Sequence, residues 1–593
     1  MNDIAPTWDL ESVCPGGPGG ETFIERQQRI GEELTALRDR AAALGTLADD
    51  GEAWRALVLE LEAVRARLHE LSTFSGCAAS ADTRSAPARR AESLVDDVDQ
   101  TFATVRVTLE AAVTEADEAT YLAWIGHDRL ADARPGLDHV REGRRFALPR
   151  DQQMLFVEME RESLTAWGRM YDLISGRLTA QLDVDGETRT VGVAELLSRL
   201  SDADADVRKA AHDAQLEAWG SVTDLCAHTL TQITGARQSQ QDRLGVDPVS
   251  VSLHRNRLQR ATLDAMWTAA DELRPVLVRY LDRKARLLGK DQLDWWDLQA
   301  PLQAEGADPL TWDGLTQSIE TAFGSYHPDL ATFARRAFDN RWIDARPGEE
   351  RRAGGFCANL PLMRESRIFM TFTGSQDNGM TLAHELGHAW HNHVISGQSS
   401  FRMKLTSALA ETASTFAEAI YRDQMLEHAP DDAARRMVLD AELQAAAGFL
   451  MDIPFRFQFE ERLYELRRNG PLDPDALSAE MVRLQRENHA DALGSYSPLF
   501  WCWKLHYYIS SFGFYNWPYT FGYLFSAAVY ARAKAEGPSF MPALQDLLRR
   551  TGWQATEPLV AETMGADTTD PAFWATAAAP IRDKVDAFLE LTG

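Results

Sequence analysis

The hydrophobic positions in the first third of the chain recur every three or four residues. The segments 23–44, 53–71 and 88–116 combine this spacing with many Ala, Leu, Glu and Arg residues, which is typical of amphipathic helices. Pro87 stands just before the third segment, at a position that suits the first turn of a helix. Helical spacing resumes near residue 204 and continues to the end of the chain. The pattern predicts a mainly α-helical protein.

Two stretches alternate apolar and polar residues instead. The first, 178–191, is interrupted by an Asp-Gly pair, which is typical of a two-residue turn between paired strands. The second, 367–373, alternates in the same way. We expect a hairpin at the first stretch and an edge strand of a small sheet at the second. The hairpin also marks the predicted boundary between a helical N-terminal domain, 1–185, and a second domain, 186–593.

The net charge of the chain limits the classes of partner that we expect it to bind. Its 593 residues include 61 Lys and Arg against 89 Asp and Glu, which gives a net charge of −28. A surface this acidic repels phosphate groups, so we expect neither a nucleic-acid partner nor an anionic membrane. The five scattered cysteines form no Cys-x-x-Cys pair and favour a reducing compartment. Because the N-terminus also has no apolar run of signal-peptide length, we expect a cytoplasmic protein.

One uncharged stretch, 505–531, is long enough to span a bilayer. It contains His506, Asn516 and Pro518 together with several other polar residues, which a lipid-facing helix rarely tolerates. We therefore expect this stretch to be buried within the protein rather than in a membrane.

The candidate chemistry lies in the string His-Glu-Leu-Gly-His, which begins at His384 and ends at His388. Two histidines four residues apart share one helix face, so both can bind one metal ion. Glu385 can then reach a metal-bound water and take its proton. The alternative is a helix with two partly buried histidines that satisfy other polar groups. Gly387 disfavours this alternative, since a glycine within a helix costs about 1 kcal/mol relative to alanine unless a close approach requires it.

A third metal ligand has to come from elsewhere in the chain. The pattern in which a third histidine follows on the same segment does not fit. The next helical segment, 405–420, offers Glu411 among small residues that allow two helices to approach closely. Glu418, two turns further on, is placed to orient a ligand by a hydrogen bond. Zinc suits such a set of imidazole and carboxylate ligands, so we expect one zinc ion per chain.

These motifs resemble the thimet oligopeptidase family, and specifically its oligoendopeptidase F branch. The resemblance rests on His-Glu-Leu-Gly-His-x-x-His with the later Ala-Glu-Thr-Ala-Ser-Thr, on the opening Trp8-Asp9-Leu10 and on the block 516–526, so it spans nearly the whole chain. It implies a zinc endopeptidase that cuts short oligopeptides. It also implies a helical two-lobed body that encloses a deep channel, with a small β-sheet beside the active-site helix and with 186–593 as the catalytic domain.

The resemblance also implies a role for each matched position. The implied catalytic residues are Glu385, His506 and Tyr523, the substrate-binding candidates are Tyr519 and Tyr515, and the metal ligands are His384, His388 and Glu411. A Tyr hydroxyl or an imidazolium placed at the attacked carbonyl stabilises the oxyanion that develops there. Which of Tyr515 and Tyr519 is the second catalytic tyrosine stays open. His391 and His393 extend the motif, and we expect structural roles for them.

Two other functions stay open at this level. A metallocarboxypeptidase on a similar helical body needs a cationic clamp for the terminal carboxylate of its substrate, and Arg364 and Arg367 lie nearby in the sequence. A catalytically silent peptide-binding shell could keep the metal ligands but has no use for Glu385. We favour a zinc-dependent endopeptidase that hydrolyses internal bonds of oligopeptides through a metal-bound water activated by Glu385.

Overall fold

Helices dominate the computed structural model, which describes residues 6–149, 152, 155–156, 159–184, 187–302 and 310–593. The mainly α-helical prediction is confirmed. The α-helices run over Glu21–Ala43, Leu47–Ala81, Ala86–Glu115, Glu118–Ile125, Arg134–Glu142, Ala166–Arg177, Val193–Arg199, Ala205–Gly220, Thr223–Leu244, Pro248–Arg255, Arg260–Leu287, Trp312–Tyr326, Pro328–Asp339, Asp377–Ile395, Ser407–Ala410, Thr412–Glu427, Asp432–Ala447, Ile453–Arg468, Pro474–Asn488, Phe500–Trp503, Trp517–Glu536, Met541–Arg550, Thr556–Met564 and Pro571–Thr592.

The three long helices near the N-terminus begin and pack as their sequence predicts. The helix Ala86–Glu115 is capped by the Ser85 hydroxyl, which accepts a hydrogen bond from the Ala88 amide, and Pro87 lies in its first turn. Its buried residues, among them Val95 and Phe102, recur at helical spacing and join the core that the preceding two helices form. Among the described residues, no helix is long and apolar enough to cross a bilayer.

The predicted hairpin is present in the structure. Strand β1 (Thr179–Val184) pairs antiparallel with β2 (Glu187–Gly192), with Thr179 opposite Gly192 and Val184 opposite Glu187. The two turn residues, and with them the predicted domain boundary between residues 185 and 186, lie outside the described residues. The division of the chain into domains 1–185 and 186–593 stays a prediction.

A second sheet lies before the motif and corrects one expectation. Its strands are β3 (Ile343–Asp344), β4 (Phe356–Leu360) and β5 (Glu365–Phe369), in the order β3-β5-β4. The stretch 367–373 therefore contributes to the central strand and not to an edge, and the strand ends at Phe369. The reason is burial: four of the five β5 residues are buried, whereas four of the five in β4 are only partly covered. Alternation reveals a strand but not its neighbours.

The chain forms two compact units, each built from three separate stretches. The first contains Met1–Arg144, Asp308–Gln424 and Arg532–Ala566. The second contains Arg145–Ala307, Met425–Ala531 and Asp567–Gly593. In the first unit, the core of the N-terminal helices extends to Leu360 at the end of β4. This packing fixes the small sheet within the same unit as the His-Glu-Leu-Gly-His motif.

Candidate active site

The motif lies in the middle of the helix Asp377–Ile395, which we call the motif helix. Leu382, Ala383 and Leu386 are fully buried and fix this helix in the core of the first unit. His384 and His388, four residues apart, project together from one face, and their Nε2 atoms lie 3.0 Å from each other. The local helical geometry that the sequence predicts is thus realised.

Glu411 lies at a break between two helices. The short helix Ser407–Ala410 ends just before it, the helix Thr412–Glu427 begins just after it, and its φ and ψ are −85° and 0°. Residues of active sites are often found in this sparsely allowed backbone region. The predicted continuous helix over 405–420 is therefore interrupted at the residue expected to bind metal. The Ser414 hydroxyl donates a hydrogen bond to Glu411 Oε2 at 2.9 Å and orients the carboxylate.

Gly387 marks the point where the motif helix meets the helix Thr412–Glu427. A Cβ atom at this position would lie 2.5 Å from the Ala413 carbonyl oxygen and 2.5 Å from Ser414 Cα. No side chain fits there without moving the backbone. The close approach expected from a glycine inside the helix is confirmed, and it brings Glu411 within reach of both histidines.

Three donor atoms converge at this contact. Glu411 Oε2 lies 3.3 Å from His384 Nε2 and 3.2 Å from His388 Nε2, and all three atoms lie within 4.8 Å of one another. Ligands held by a tetrahedral zinc ion at about 2.0 to 2.1 Å lie roughly 3.3 Å apart. The separations and the donor types, two imidazoles and one carboxylate, therefore fit a zinc site that keeps one position open.

Glu418 binds the ring nitrogen of His384 that does not face the other donors. Its Oε1 lies 2.5 Å from His384 Nδ1, which is the contact expected of a residue that orients a ligand. A carboxylate at Nδ1 places the ring hydrogen there and turns the Nε2 lone pair toward the other donors. Burial lowers the pKa of His384, but the hydrogen bond and the charge of Glu418 outweigh it, so the pKa is raised.

The two carboxylates near the histidines differ in their electrostatics. Burial alone would raise the pKa of Glu411, but the hydrogen bond from His388 and the charges of both histidines lower it to about 2. Burial raises the pKa of Glu385, and the histidines offset this only in part. Glu385 is 5% exposed, and its Oε2 has no hydrogen-bond partner among the described residues. Glu411 is thus held as an anion. Glu385 is buried, and one of its oxygens accepts no hydrogen bond from the described residues.

The other histidines and arginines near the motif have structural contacts. His391 is fully buried, and its Nε2 lies 2.8 Å from the Thr551 hydroxyl. His393 packs against Phe333, with ring centroids 5.2 Å apart. Arg367 is 1% exposed and donates to the Asp9 carbonyl and the Ser12 hydroxyl, each at 3.0 Å.

Arg364 lies just beyond the motif helix. A Cβ atom at Gly397, two residues after the last residue of that helix, would lie 3.1 Å from one of its guanidinium nitrogens. The guanidinium therefore packs against the turn that follows the helix, where the last carbonyl groups of a helix favour a positive charge. Unlike Arg367, Arg364 is exposed.

The second unit holds the other predicted site residues. His506 lies in the short 3-10 helix Leu505–Tyr508. Its ring centroid lies 4.7 Å from that of Tyr515 and 6.0 Å from that of Tyr519. Tyr523 follows one turn later on the helix Trp517–Glu536 and stacks on Phe449 at 4.9 Å. The structure thus groups His506 with Tyr515 and Tyr519, and places Tyr523 on the same helix as Tyr519.

Asn516 is a residue of this group that the sequence did not reveal. Its Oδ1 lies 2.6 Å from His506 Nδ1. Burial and the nearby Lys504 and Arg456 charges outweigh this hydrogen bond and lower the pKa of His506 to about 4, so the ring is neutral near pH 7. The available signal was an amide side chain inside the uncharged stretch, ten residues after His506.

The hydrogen bond to Asn516 decides which ring nitrogen can donate. A neutral imidazole donates from one nitrogen only. With the amide oxygen at Nδ1, that nitrogen carries the hydrogen and Nε2 of His506 carries a lone pair. A donor at Nε2 requires either a protonated ring or a rotated Asn516 amide, which turns its NH2 group toward Nδ1.

The site and fold together define a class of peptidase. Residues 198–578 match the profile of Peptidase family M3, and the chain belongs to that family of peptidases. It is 21% identical to oligopeptidase PepF of Bacillus subtilis (strain 168) over 596 residues, which cover 99% of this chain and 87% of that protein. The resemblance to the oligoendopeptidase F branch is confirmed.

Solved structures share the fold over nearly the full chain. A structure from Chlamydophila abortus aligns with a TM-score of 0.85 at 17% identity and covers 99% of this chain and 100% of that one. Oligoendopeptidase-F from Enterococcus faecium aligns with a TM-score of 0.71 at 17% identity and covers 96% of this chain and 98% of its own. At these identities the likeness establishes the fold.

Proposed function

We propose that this chain is a zinc-dependent endopeptidase that hydrolyses internal bonds of short oligopeptides. The buried carboxylate of Glu385 carries the proposal. It follows His384 directly and feels the charges of His384, His388 and Glu411, and one of its oxygens has no hydrogen-bond partner within the described ranges. Such an atom costs free energy unless it serves a substrate or a water. A shell that only holds metal has no need of it.

The residues of the first unit divide the work. His384, His388 and Glu411 would hold the zinc ion, and Glu418 would orient His384. The ion would supply Lewis acidity, which lowers the pKa of water and polarises a peptide carbonyl. Glu385 would accept the proton of the attacking water at its carboxylate and deliver it to the departing amine. Its raised pKa suits transfer in both directions near neutral pH.

The resemblance to the family supports roles at the substrate carbonyl for a further group of residues. His506 and Tyr523 are proposed to donate hydrogen bonds to the oxyanion, and Tyr515 and Tyr519 are proposed to bind substrate. His506 would donate from Nε2, either with its ring protonated by the time the oxyanion forms or with the Asn516 amide rotated so that Nε2 carries the hydrogen. Tyr515 and Tyr519 both face the His506 ring, and either can serve as the second catalytic tyrosine. The loss of one such donor typically lowers the rate about 100- to 1,000-fold.

The outer strand β4 is the proposed binding edge for an extended peptide. It begins next to Glu385, since a Cβ atom at Gly355 would lie 3.6 Å from Glu385 Oε1. A peptide that pairs with β4 through main-chain hydrogen bonds would therefore pass close to the proposed base. Such pairing depends little on side chains, which suits an enzyme that accepts many short peptides.

The burial of Arg367 removes one of the two arginines that could serve as the cationic clamp of a carboxypeptidase. Arg367 is buried and donates to Asp9 and Ser12, so it is not placed as a clamp for a terminal carboxylate, whereas Arg364 is exposed beside Gly397. The test compares one internally quenched peptide with its C-terminus blocked and the same peptide with its C-terminus free. We expect similar cleavage of both at an internal bond. Cleavage of the free peptide alone, with release of its last residue, would replace the proposal by a carboxypeptidase.

Three further predictions concern the surroundings of the enzyme. The cytoplasmic location stays a prediction from cysteine usage, and the absence of nucleic-acid and membrane partners stays a prediction from the net charge of −28. The partners that we propose are oligopeptide substrates.

A further inference from the structure

Two buried charged residues hold the loop between His506 and Tyr515. This loop, residues 509–514, has the sequence Ile-Ser-Ser-Phe-Gly-Phe, and we call it the anchor loop. Arg237 comes from the helix Thr223–Leu244 and is 8% exposed, while Glu460 comes from the helix Ile453–Arg468 and is 2% exposed. Both belong to the same compact unit as the loop. The proposed reaction gives neither of them a role.

Both residues bind the backbone of the anchor loop directly. The Arg237 guanidinium donates to the carbonyl of Ile509 and, at 2.8 Å, to that of Phe512. Glu460 Oε1 accepts the amide hydrogen of Phe514 at 2.7 Å. Hydrogen bonds to ionised groups are shorter and stronger than neutral ones. Contacts of this kind at both ends of a six-residue loop leave it little freedom.

Arg237 and Glu460 also hold the anchor loop in an unusual backbone conformation. Phe514 has a φ of +58°, a left-handed conformation that is unusual for an aromatic residue. Its ring is buried and stacks on Tyr464, with centroids 5.7 Å apart. At Gly513 a Cβ atom would lie 3.0 Å from Glu460 Oε1 and 3.2 Å from the Tyr464 hydroxyl. The loop therefore fits its anchor closely.

The anchor loop connects two groups of the candidate site. His506 lies three residues before it and Tyr515 follows it directly. The hydrogen bond between His506 Nδ1 and Asn516 Oδ1, at 2.6 Å, closes the segment on itself. A shift of Phe514 would therefore move Tyr515 and Asn516, and through Asn516 the imidazole ring.

We propose that Glu460 and Arg237 are positioning residues for the peptidase reaction, which fix the anchor loop so that His506 and Tyr515 keep a productive geometry. The inference rests on the proposed function, because that function gives His506 a catalytic role and Tyr515 a role in substrate binding. A displacement of about 1 Å at a reacting group can lower a rate about 100-fold. A residue that binds only the loop backbone can thus control the rate through the groups that the loop carries.

The chemistry of Glu460 separates an anchoring role from a role of its charge. Burial raises the pKa of Glu460 to about 7, so both protonation states occur near neutral pH. In either state Oε1 can accept the Phe514 amide hydrogen. The variant Glu460→Gln offers the same acceptor at the same place, whereas Glu460→Met has a similar volume and no acceptor. The first should keep the loop in place and the second should release it.

The kinetic test uses the metal-loaded full chain and an internally quenched peptide blocked at both ends. We expect Glu460→Met to lower kcat about 10- to 100-fold, with KM and zinc content nearly unchanged, and Glu460→Gln to stay close to wild type. Gly513→Ala, which pushes the loop away while keeping both charges, should lower kcat in the same way. Gly513→Ala also provides the test if Glu460→Met does not fold.

A control variant separates positioning from general loss of stability. Asp440→Leu removes another buried carboxylate of the same unit, which pairs with Lys284 at 3.1 Å and does not touch the anchor loop. It should lower the melting temperature with little change in kcat. A wild-type kcat in Glu460→Met and Gly513→Ala would overturn the proposal. An equal loss of kcat in Glu460→Gln and Glu460→Met, or in the Asp440 control, would overturn it as well.

A second readout does not depend on catalysis. In protein with labelled histidines, NMR titration follows the His506 ring, assigned by comparison with His506→Gln. Wild type and Glu460→Gln should share one low pKa for His506, whereas Glu460→Met should move it toward the ordinary value, because a released loop exposes the ring. An unchanged His506 titration in Glu460→Met would contradict the anchor even if the chain cleaved no peptide. Failure of the proposed function alone would leave this shift intact.

Discussion

The metal-ligand group of the first unit and the His506 group of the second unit handle charge in opposite ways. In the first, Glu411 has a pKa lowered to about 2 and lies within 3.3 Å of two imidazoles. In the second, burial and nearby positive charges lower the pKa of His506 to about 4, and its ring lies against those of Tyr515 and Tyr519. The first group suits a cation, and the second suits hydrogen bonding by neutral groups.

The two groups also differ in what supports them. His384, His388 and Glu411 are fixed by the motif helix and the close helix contact at Gly387. His506 and Tyr515 flank a loop that needs a separate anchor. A change in the first group should therefore remove metal, while a change in the second should leave metal in place and lower the rate. This separation can be tested one residue at a time.

Removal of one metal ligand should give the largest effect. In His388→Ala only two donors remain, too few for a stable zinc site, so we expect zinc to fall from about one ion per chain to near zero and cleavage to fall to that of peptide alone. Metal analysis of dialysed protein measures the first quantity. His391→Gln on the same helix should keep its zinc, since His391 bonds to Thr551 instead. Full zinc in His388→Ala would refute the assigned ligand set.

Removal of the imidazole in the second group should lower the rate and spare the metal. For His506→Gln we expect kcat to fall about 100- to 1,000-fold with zinc content unchanged. Steady-state kinetics and metal analysis on the same sample measure both. The matched control is Tyr507→Phe, which changes a buried neighbour whose hydroxyl donates to the Arg456 carbonyl and should change kcat little. Loss of zinc in His506→Gln would break the contrast between the two groups.

A change at Glu418, which contacts a metal ligand but is not itself one, should weaken zinc binding without abolishing it. Glu418→Gln removes the charge next to His384 Nδ1, so we expect zinc affinity to fall about 10- to 100-fold and kcat at saturating zinc to stay near wild type. Competition with a chelator of known affinity measures the change. Asp423→Asn, on the same helix but paired with Lys534 at 2.7 Å, is the control. Equal affinities in both variants would remove Glu418 from the site.

The smallest predicted effect is a change in protonation. In Asn516→Asp a carboxylate replaces the amide 2.6 Å from His506 Nδ1. An opposite charge at this distance favours the imidazolium, so the pKa of His506 should rise from about 4 by about 1 to 3 units. The ring is then protonated at pH values below the new, higher pKa. NMR titration of labelled histidines measures the shift, and an unchanged or lower pKa would contradict the assigned contact.

Local patterns predicted the three converging donors, because two of them lie on one helix at a spacing that the sequence shows. The spacing of His384 and His388 places both on one helix face, and Gly387 signalled the close helix contact that the structure contains. The helical segment 405–420 was predicted, yet the break at Glu411 was not. A break of this kind depends on tertiary contacts, which override helical propensity.

Features that depend on contacts between distant parts of the chain could not be predicted from the sequence. The central position of β5 follows from its pairing with both β3 and β4, which alternation cannot reveal. Arg237 and Glu460 lie far from the anchor loop in sequence and gave no pattern that links them to it. Only the fold brings their charged groups to the loop backbone.

The most direct test of the central claim compares wild type with Glu385→Gln on an internally quenched peptide blocked at both ends, at equal measured zinc. The substitution keeps the size of the side chain and removes the proton acceptor. We predict that wild type cuts within the peptide and that the variant keeps its zinc and loses about 100- to 10,000-fold in kcat. Cleavage by the variant at a rate close to wild type, or no cleavage by wild type across a broad set of such peptides, would contradict the account.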